Sequence, residues 1–321
     1  MMIYECAPME GVTDYIFRQV QSRLFAPADR YYTPFISPTA THLFTARQLR
    51  ELTPENNEGI NLIPQLIGHN ADDFLWAATE LKAMGYDEVN FNLGCPSGTV
   101  VGKKKGSGLL SELKLLEEFF DEVFEKAPVE ISVKTRIGKE NPEEFAAILE
   151  LYNRYPIKEL IIHSRLQTQQ YKGTPNLEAW RSASECSRAP LCYNGDIFDR
   201  NCAESFLSAY PDTKSIMIGR GLVANPNLIG ELKGAPPVTK AQLEEFHASV
   251  LQGCIRRTPQ EKPLLLHLKE FWFYFSCSFE DADKALKAIR KSQHLGDYNA
   301  AVSSLFRSCE LREPAGFRAK P

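Results

Sequence analysis

A cysteine in a constrained turn is the most reactive group that the sequence offers. Cys95 lies between Gly94 and Pro96, directly after an apolar run with strand character. A cysteine is most often a small buried apolar side chain, but here a glycine and a proline fix a turn and leave little to cover the thiol. A free thiol has a pKa near about 8.5, so it can act as an acid at neutral pH. A thiolate nucleophile is the competing role, and it requires a nearby histidine or helix N-terminus.

Three consecutive lysines follow this cysteine within a glycine-rich segment. Residues 97–108 contain four glycines together with Lys103, Lys104 and Lys105. This composition predicts a mobile loop over the active face. Lysine runs usually only solvate a surface, but a run this close to a reactive group is suited to contact a polyanion.

Glycine-containing turns after two later strand candidates favour a phosphate ligand. Residues 194–196 read Asn-Gly-Asp and residues 219–221 read Gly-Arg-Gly, so backbone N–H groups can approach an anion closely at both turns. Each could equally be an ordinary tight turn. Lys134 and Arg136 add fixed positive charge, and we therefore expect a cofactor that carries both a phosphate and an electron-rich ring.

The alternation of short strands and amphipathic helices predicts the fold that positions these groups. Helical patterns at 71–84, 111–126 and 142–155 separate some of the strand candidates. Eight βα units are the number that closes a (β/α)₈ TIM barrel, whose usual length is about 250 residues and whose catalytic groups lie at the carboxyl ends of the strands. An open doubly wound sheet is the alternative, but no G-x-G-x-x-G motif follows the first strand. The predicted strands are 3–8, 30–37, 61–67, 88–93, 129–135, 159–163, 190–194 and 215–219.

The remainder of the chain predicts a helical bundle. Residues 233–237 read as a linker, and apolar residues then recur at helical spacing, with the last two helices at about 280–291 and 297–307. Phe271, Trp272 and Tyr274 are interpreted as core of this bundle rather than as base-stacking platforms. The predicted domains are a TIM-barrel catalytic domain at 1–235, a C-terminal helical domain at 239–310 and a tail at 311–321.

Composition excludes several classes of protein. The 321 residues are 43% hydrophobic and 24% charged, which is typical of a globular protein. The cysteines form no C-x-x-C pair, so neither a zinc site nor a disulfide framework is predicted. We find no signal peptide and no apolar run near the roughly 20 residues that span a bilayer. We expect a cytoplasmic monomer without a bound metal.

A series of short motifs carries a family resemblance. Each motif is weak alone, but their common order at consistent barrel positions is specific, and on them the chain resembles the flavin-dependent tRNA-dihydrouridine synthases over nearly its whole length. The motifs are Ala7-Pro8-Met9-Glu10-Gly11-Val12-Thr13-Asp14, Pro64-Gln65-Leu66, Asn92-Leu93-Gly94-Cys95-Pro96, Gly106-Ser107-Gly108-Leu109-Leu110, Val133-Lys134-Thr135-Arg136, His163-Ser164-Arg165, Asn194-Gly195-Asp196-Ile197 and Ile218-Gly219-Arg220-Gly221.

The resemblance implies an FMN-binding barrel and a C-terminal helical domain that helps to clasp tRNA. It implies NADPH-driven reduction of the C5–C6 double bond of specific uridines in tRNA. Cys95 would give a proton to C5 of the uracil while hydride passes from flavin N5 to C6, and Asn92 would help to orient the base. The residues implied to surround FMN are Pro8, Met9, Glu10, Gln65, Lys134, His163, Asn194, Gly195, Asp196, Gly219 and Arg220.

Substrate contacts are expected from Asn92, the three lysines, Arg136 and Arg165. The family commonly has His-Gly-Arg-Thr where this chain has His-Ser-Arg-Leu at 163–166, a departure that concerns substrate positioning near Arg165. Two other functions stay open: an FMN barrel oxidoreductase that acts on a free small molecule, and a catalytically silent RNA-binding protein that has kept the barrel.

Overall fold

The computed structural model describes residues 2–319 as a barrel of parallel strands surrounded by helices, which confirms the predicted fold class. The order of the strands in the sheet is β3-β2-β1-β9-β8-β7-β6-β5-β4. The strands are β1 (Ile3–Cys6), β2 (Arg30–Tyr32), β3 (Leu62–Ile63), β4 (Gln65–Leu66), β5 (Glu88–Leu93), β6 (Glu130–Arg136), β7 (Leu160–His163), β8 (Leu191–Asn194) and β9 (Ser215–Ile218).

The barrel closes through one strand that a proline divides. β3 pairs with β2 and β4 pairs with β5, so the single predicted strand at 61–67 joins the two ends of the sheet. Pro64 lies between them and has no N–H to donate, but its carbonyl oxygen accepts from the Asn90 N–H at 2.8 Å. The Ile36 N–H donates to the Gln65 carbonyl at 2.8 Å, which adds a direct link across the seam. This closure rules out the open doubly wound sheet.

Helices connect the strands and cover the barrel, and several begin or end within a few residues of their predicted bounds. The predicted helix at 142–155 is shorter because Glu144 accepts backbone N–H groups of Lys139, Glu140 and Asn141, which holds the preceding residues in a turn. The barrel helices are α1 (Tyr15–Leu24), α2 (Ala46–Leu52), α3 (Ala71–Ala83), α4 (Gly98–Val101), α5 (Leu113–Lys126), α6 (Glu144–Tyr152), α7 (Leu177–Cys186), α8 (Arg200–Ala209), α9 (Arg220–Ala224) and α10 (Leu228–Leu232), with 3₁₀ turns at Pro54–Asn57 and Gly106–Ser111.

Four longer helices follow the barrel: α11 (Lys240–Arg257), α12 (Glu261–Phe275), α13 (Asp283–Lys291) and α14 (Leu295–Ser308), with a 3₁₀ turn at Ser276–Ser278. Their core is aromatic. Trp272 is fully buried and donates its indole N–H to the Tyr298 hydroxyl at 2.8 Å. Phe271 is also buried, so the core interpretation is right for these two residues. Tyr274 is half-buried, packs against the core and also lines a cavity at the barrel mouth.

The last described residues, predicted as a tail, return to the barrel. Leu311 pairs with Phe279 in an antiparallel bridge, and the Arg312 N–H donates to the Ser278 carbonyl at 2.9 Å. Further on, the Phe317 N–H donates to the Phe198 carbonyl at 3.1 Å, in the loop that follows β8. Within residues 2–319, none of the helices combines the length and the hydropathy that a membrane crossing requires.

The amino-terminal end of the barrel buries an ionic cluster. Arg30 donates hydrogen bonds to Glu88 and Glu159 and lies 3.7 Å from Glu5, which is fully buried. Burial and the neighbouring Glu5 carboxylate raise the pKa of Glu159 from 4.5 to about 9. The folded protein therefore keeps this proton in a pH range where the unfolded chain releases it.

We predict that this cluster makes stability fall as pH rises. Because the pKa of Glu159 is higher in the folded state, its contribution is complete below about pH 4.5 and is lost progressively toward pH 9. Glu159→Gln should remove this loss, so the unfolding free energy of the variant should increase relative to that of wild type as pH rises between those limits. Urea unfolding across this pH range measures the difference.

The matched control is Glu130→Gln, which changes an exposed glutamate at the same end of the barrel. It should follow the wild-type pH dependence. An unchanged slope in Glu159→Gln would contradict the assignment of a retained proton to this cluster.

Candidate active site

The carboxyl ends of five strands surround a cavity of about 330 Å³, which is within the size range of small-molecule sites. All but two of the predicted cofactor residues line it. Those that do are Pro8, Met9, Lys134, His163, Asn194, Gly195, Asp196, Gly219 and Arg220, and they are joined by Ala7, Tyr171, Ile197, Phe198, Met217, Phe273, Tyr274, Phe317 and Ala319.

Glu10 and Gln65 do not line this cavity. Gln65 is fully buried in the sheet, where its amide donates to Asn90 at 2.7 Å and its carbonyl oxygen accepts from Asn92 at 2.7 Å. Glu10 is exposed, forms an ion pair with Arg47 and lines a second cavity of about 580 Å³ beside α12. Gln65 therefore holds the side chain of Asn92 through a hydrogen bond, and Glu10 lies outside the cavity at the exposed surface.

Asp196 bridges two arginines at the cavity wall. Arg165 donates to both of its carboxylate oxygens, at 2.7 and 2.6 Å, and Arg220 donates to one of them at 2.7 Å. Asp196 has a left-handed backbone with φ of 45°, a conformation that aspartate tolerates better than most residues. This is the one carboxylate among the described residues that line the cavity, so positive charge remains in excess there.

Aromatic rings hold the guanidinium group of Arg220. Its central carbon lies 5.1 Å from the ring centre of Tyr171, 4.8 Å from Phe198 and 5.2 Å from Phe317. Such contacts are favourable and orient the planar group. Sequence reasoning missed all three aromatic residues. Phe198 lies only two residues after Asp196, but nothing local marks Tyr171 or Phe317.

Burial lowers the pKa of the basic groups inside the cavity. Lys134 donates to the Asn194 side-chain oxygen at 2.8 Å, and burial and the charge of Arg136 lower the pKa of Lys134 to about 8. Burial and the same arginine lower the pKa of His163 well below 6.5, so its imidazole is neutral at pH 7. An anionic ligand would raise the pKa of both groups, because it offsets the surrounding positive charge.

Hydrogen bonds on both sides fix the turn that carries Cys95. The side-chain oxygen of Asn92 accepts the N–H groups of Gly94 and Cys95 at 3.0 and 2.9 Å. The carbonyl oxygen of Cys95 accepts from Ser107 twice, from the backbone N–H at 3.1 Å and from the hydroxyl at 2.8 Å. Asn92 pairs in register with Lys134 of the neighbouring strand, so the turn stands beside the cationic side of the cavity.

The thiol of Cys95 keeps its proton. It is free and half-buried, and burial raises its pKa above the ordinary value of a thiol even though Arg136 and Lys134 act in the opposite direction. A thiolate nucleophile requires a lowered pKa. The structure therefore favours the acid over the nucleophile.

Arg136 and Arg165, expected to contact substrate, have buried side chains that bind protein groups. Arg136 donates to the carbonyls of Gly94 and Leu166 at 2.8 and 2.9 Å, which connects the Cys95 turn to the loop after β7. Arg165 donates to the Gly173 carbonyl at 2.6 Å besides its bonds to Asp196. These contacts indicate that both arginines position neighbouring segments.

The predicted mobile loop is folded against Cys95. Residues 106–110 are buried, and Gly106 has a φ of 56°. A Cβ atom on Gly106 would lie 2.8 Å from the Cys95 carbonyl oxygen, so the glycine permits close contact rather than hinge motion. The lysines differ in setting: Lys103 is exposed, Lys104 pairs with Glu112 at 3.2 Å, and Lys105 donates to Ser37 at 2.8 Å.

Comparison with known proteins identifies the family. The family model described as "Dihydrouridine synthase (Dus)" matches residues 5–298. The chain belongs to the dihydrouridine synthase family. This confirms the family that the motifs predicted and places the chain among enzymes.

Several members of this family are similar in sequence. The "Probable tRNA-dihydrouridine synthase 1" of Synechocystis is 31% identical over 232 residues, which are 71% of this chain and 63% of that protein, so the match spans less than two thirds of it. The "tRNA-dihydrouridine(16) synthase" of Aquipseudomonas alcaligenes is 31% identical over 70% of this chain and 73% of that protein. The protein of the same name from Neisseria meningitidis is 25% identical over 88% of this chain and 89% of its own length.

Solved structures share the fold at low sequence identity. Morphinone reductase aligns with a TM-score of 0.51 and 15% identity, over 73% of this chain and 86% of that chain. The old yellow enzyme homologue from Zymomonas mobilis aligns with a TM-score of 0.52 and 14% identity, over 74% and 89% of the two chains. These similarities support the barrel assignment alone.

We predict that Cys95 is protonated at neutral pH. Because burial raises its pKa, its alkylation by iodoacetamide, which requires the thiolate, should be slow near pH 7 and should still rise with pH where an ordinary thiol, with a pKa near about 8.5, has reached its maximal rate. Labelling rates measured by peptide mass spectrometry across this range test the expectation, with exposed Cys186 as the reference for reagent quality. A rate that is already maximal below about pH 8 would indicate a thiolate and favour the nucleophile.

Proposed function

We propose that this protein is an FMN-dependent tRNA-dihydrouridine synthase that uses NADPH to reduce the C5–C6 double bond of specific uridines in tRNA. The observation that carries the proposal is the fixed turn that holds Cys95 beside a cation-rich cavity in a chain of this family. We also propose that the protein works as a cytoplasmic monomer.

The residues of the cavity fit FMN. Ala7, Pro8, Met9 and Met217 provide an apolar surface for a flat ring, and Lys134 provides a cation beside it. A Cβ on Gly219 would lie 3.3 Å from both Ala7 and Met9, so the glycine allows close packing against this surface. Arg220 and the excess of positive charge beside Asp196 suit a phosphate group.

The cofactor, when bound, supplies hydride for C6 of the uracil after it has been recharged by NADPH. The chain supplies the proton. Sγ of Cys95 donates its proton to C5, so that one hydride and one proton together saturate the double bond. Because the pKa of Cys95 is raised, its thiol carries this proton at neutral pH. The thiolate left behind regains a proton from solvent before the next turnover.

Asn92 and Arg136 act by placing this acid. The Asn92 side chain fixes the backbone N–H of Cys95, and Arg136 binds the preceding carbonyl. We infer that both are positioning residues, and that Arg165 positions Asp196 in the same way. Asn92 has a further amide hydrogen beyond its bond to Gln65, which is suited to the uracil that enters the site.

The target base must leave its stack to reach a thiol that is half-buried in the barrel mouth. Lys103 and Lys104 lie exposed in the segment that follows Cys95, where they can contact the phosphates that flank an extruded nucleotide. Reduction of free uridine at the same efficiency as tRNA would instead favour a small-molecule oxidoreductase. A protein that stays colourless after incubation with FMN would favour a silent RNA-binding barrel.

We predict that Cys95→Ala retains FMN and tRNA binding and loses dihydrouridine formation by about 100-fold or more, the usual contribution of a general acid. The readouts are flavin absorbance, tRNA affinity and dihydrouridine formed per minute. Cys186→Ala is the matched control, since it removes an exposed thiol on α7 and should keep full activity. Unchanged turnover in Cys95→Ala would rule out the acid role.

We further predict that Lys103→Ala/Lys104→Ala raises KM for tRNA with little change in kcat. It should also reduce the slope of log affinity against log salt by about one for each phosphate that the variant no longer binds. Lys126→Ala/Lys158→Ala removes the same charge at the amino-terminal end of the barrel and serves as the control. An equal effect of the two double variants would mean that net charge alone accounts for binding.

A further inference from the structure

The segment 311–319, which we call the C-terminal strap, forms part of the cavity wall although it lies beyond the region that the family model matches. It leaves the helical bundle at Leu311 and reaches the loop after β8. Ala315 accepts from the side chain of Asn225 at 3.4 Å, and the Phe317 N–H donates to the Phe198 carbonyl at 3.1 Å. The strap therefore contacts two loops of the barrel mouth.

Two glycines hold the loop after β8 between them. A Cβ on Gly316 of the strap would lie 2.4 Å from the Phe198 carbonyl oxygen and 2.7 Å from Asp199. From α9, a Cβ on Gly221 would lie 2.3 Å from the Ile197 carbonyl oxygen and 2.9 Å from that of Phe198. Neither glycine has a left-handed backbone, so the requirement at both positions is space. The strap and α9 thus fix this loop from two directions.

The strap also contacts the charged groups of the cavity. Phe317 is 4% exposed, and its ring stands 5.2 Å from the guanidinium carbon of Arg220 and 5.1 Å from the ring of Phe198. Arg318 donates to one oxygen of Asp199 at 2.9 Å, while the other oxygen accepts the Cys202 N–H and caps α8. Arg220, the loop and the start of α8 therefore all depend on the strap for part of their position.

We propose that the C-terminal strap is a functional part of the cofactor site: Gly316 and Phe317 position Arg220 and the loop after β8 to bind the phosphate of the cofactor. This inference rests on the proposed FMN site and extends it to residues with no motif of their own. Phe317 is a positioning residue, because it acts through Arg220. A strap that served only to complete the helical bundle would affect stability without distinguishing one flavin from another.

FMN and riboflavin separate these two roles, since they share the ring system and differ in the phosphate. The dissociation constants of both are measured on flavin-free protein by quenching of flavin fluorescence. Gly316→Ala and Phe317→Ala should raise the dissociation constant for FMN about tenfold or more and that for riboflavin less than threefold, so that the preference for FMN is lost. Phe317→Leu keeps most of the side-chain volume and supplies a milder variant if the alanine variant fails to fold.

Glu313→Gln is the matched control, because it changes an exposed residue of the strap. It should keep the wild-type preference for FMN. Equal weakening of both flavins by the Gly316 and Phe317 variants, or no change in either, would overturn the inference while leaving the proposed function in place. A wild-type protein that binds FMN no better than riboflavin would overturn the phosphate site itself and the inference with it.

Discussion

One carboxylate shared by two arginines organises the barrel mouth. Asp196 accepts from Arg165 and Arg220, which follow different strands, and so ties the ends of β7, β8 and β9 together. It cannot neutralise both guanidinium groups, and Lys134 and Arg136 add further positive charge nearby. Buried charge that lacks a partner is costly. The cavity therefore favours an anionic ligand. The lowered pKa values of Lys134 and His163 reflect burial and the surrounding positive charge.

The same charges would be expected to ionise a neighbouring thiol, but burial has the larger effect on Cys95. Its pKa rises despite the influence of Arg136 and Lys134. The site therefore places the anion-binding cations next to a thiol that can donate a proton. Burial lowers the pKa of Lys134 and raises that of Cys95. Opposed shifts of this kind are a common way to assign acid and base roles within one site. Arg136 links the two halves, since it contributes charge to the cavity and binds the carbonyl before Cys95.

Much of this arrangement could be predicted from the sequence, because barrel strands place the residues at their carboxyl ends around one opening. Lys134, His163 and Asn194 reach the cavity for that reason. The sequence is less informative where a role depends on a distant partner. Arg165 and Asp196 are 31 residues apart, and nothing in the sequence around either residue indicates that they pair.

The roles of Gly106 and Phe317 cannot be recognised from the sequence around them. Gly106 has the sequence setting of a hinge, yet only its distance from Cys95 in the folded chain explains the residue. Phe317 lies in a segment that reads as a tail, and its contact with Arg220 exists only because the chain returns from the helical bundle to the barrel.

We propose that hydride and the Cys95 proton reach the same uracil of a tRNA. A single-turnover experiment tests it most directly: protein carrying reduced FMN is mixed anaerobically with tRNA from a strain that lacks this gene, and flavin oxidation and dihydrouridine are counted together. We expect one dihydrouridine for each flavin oxidised with tRNA, and negligible oxidation with free uridine. Flavin oxidation without dihydrouridine, or equal oxidation by free uridine, would contradict it.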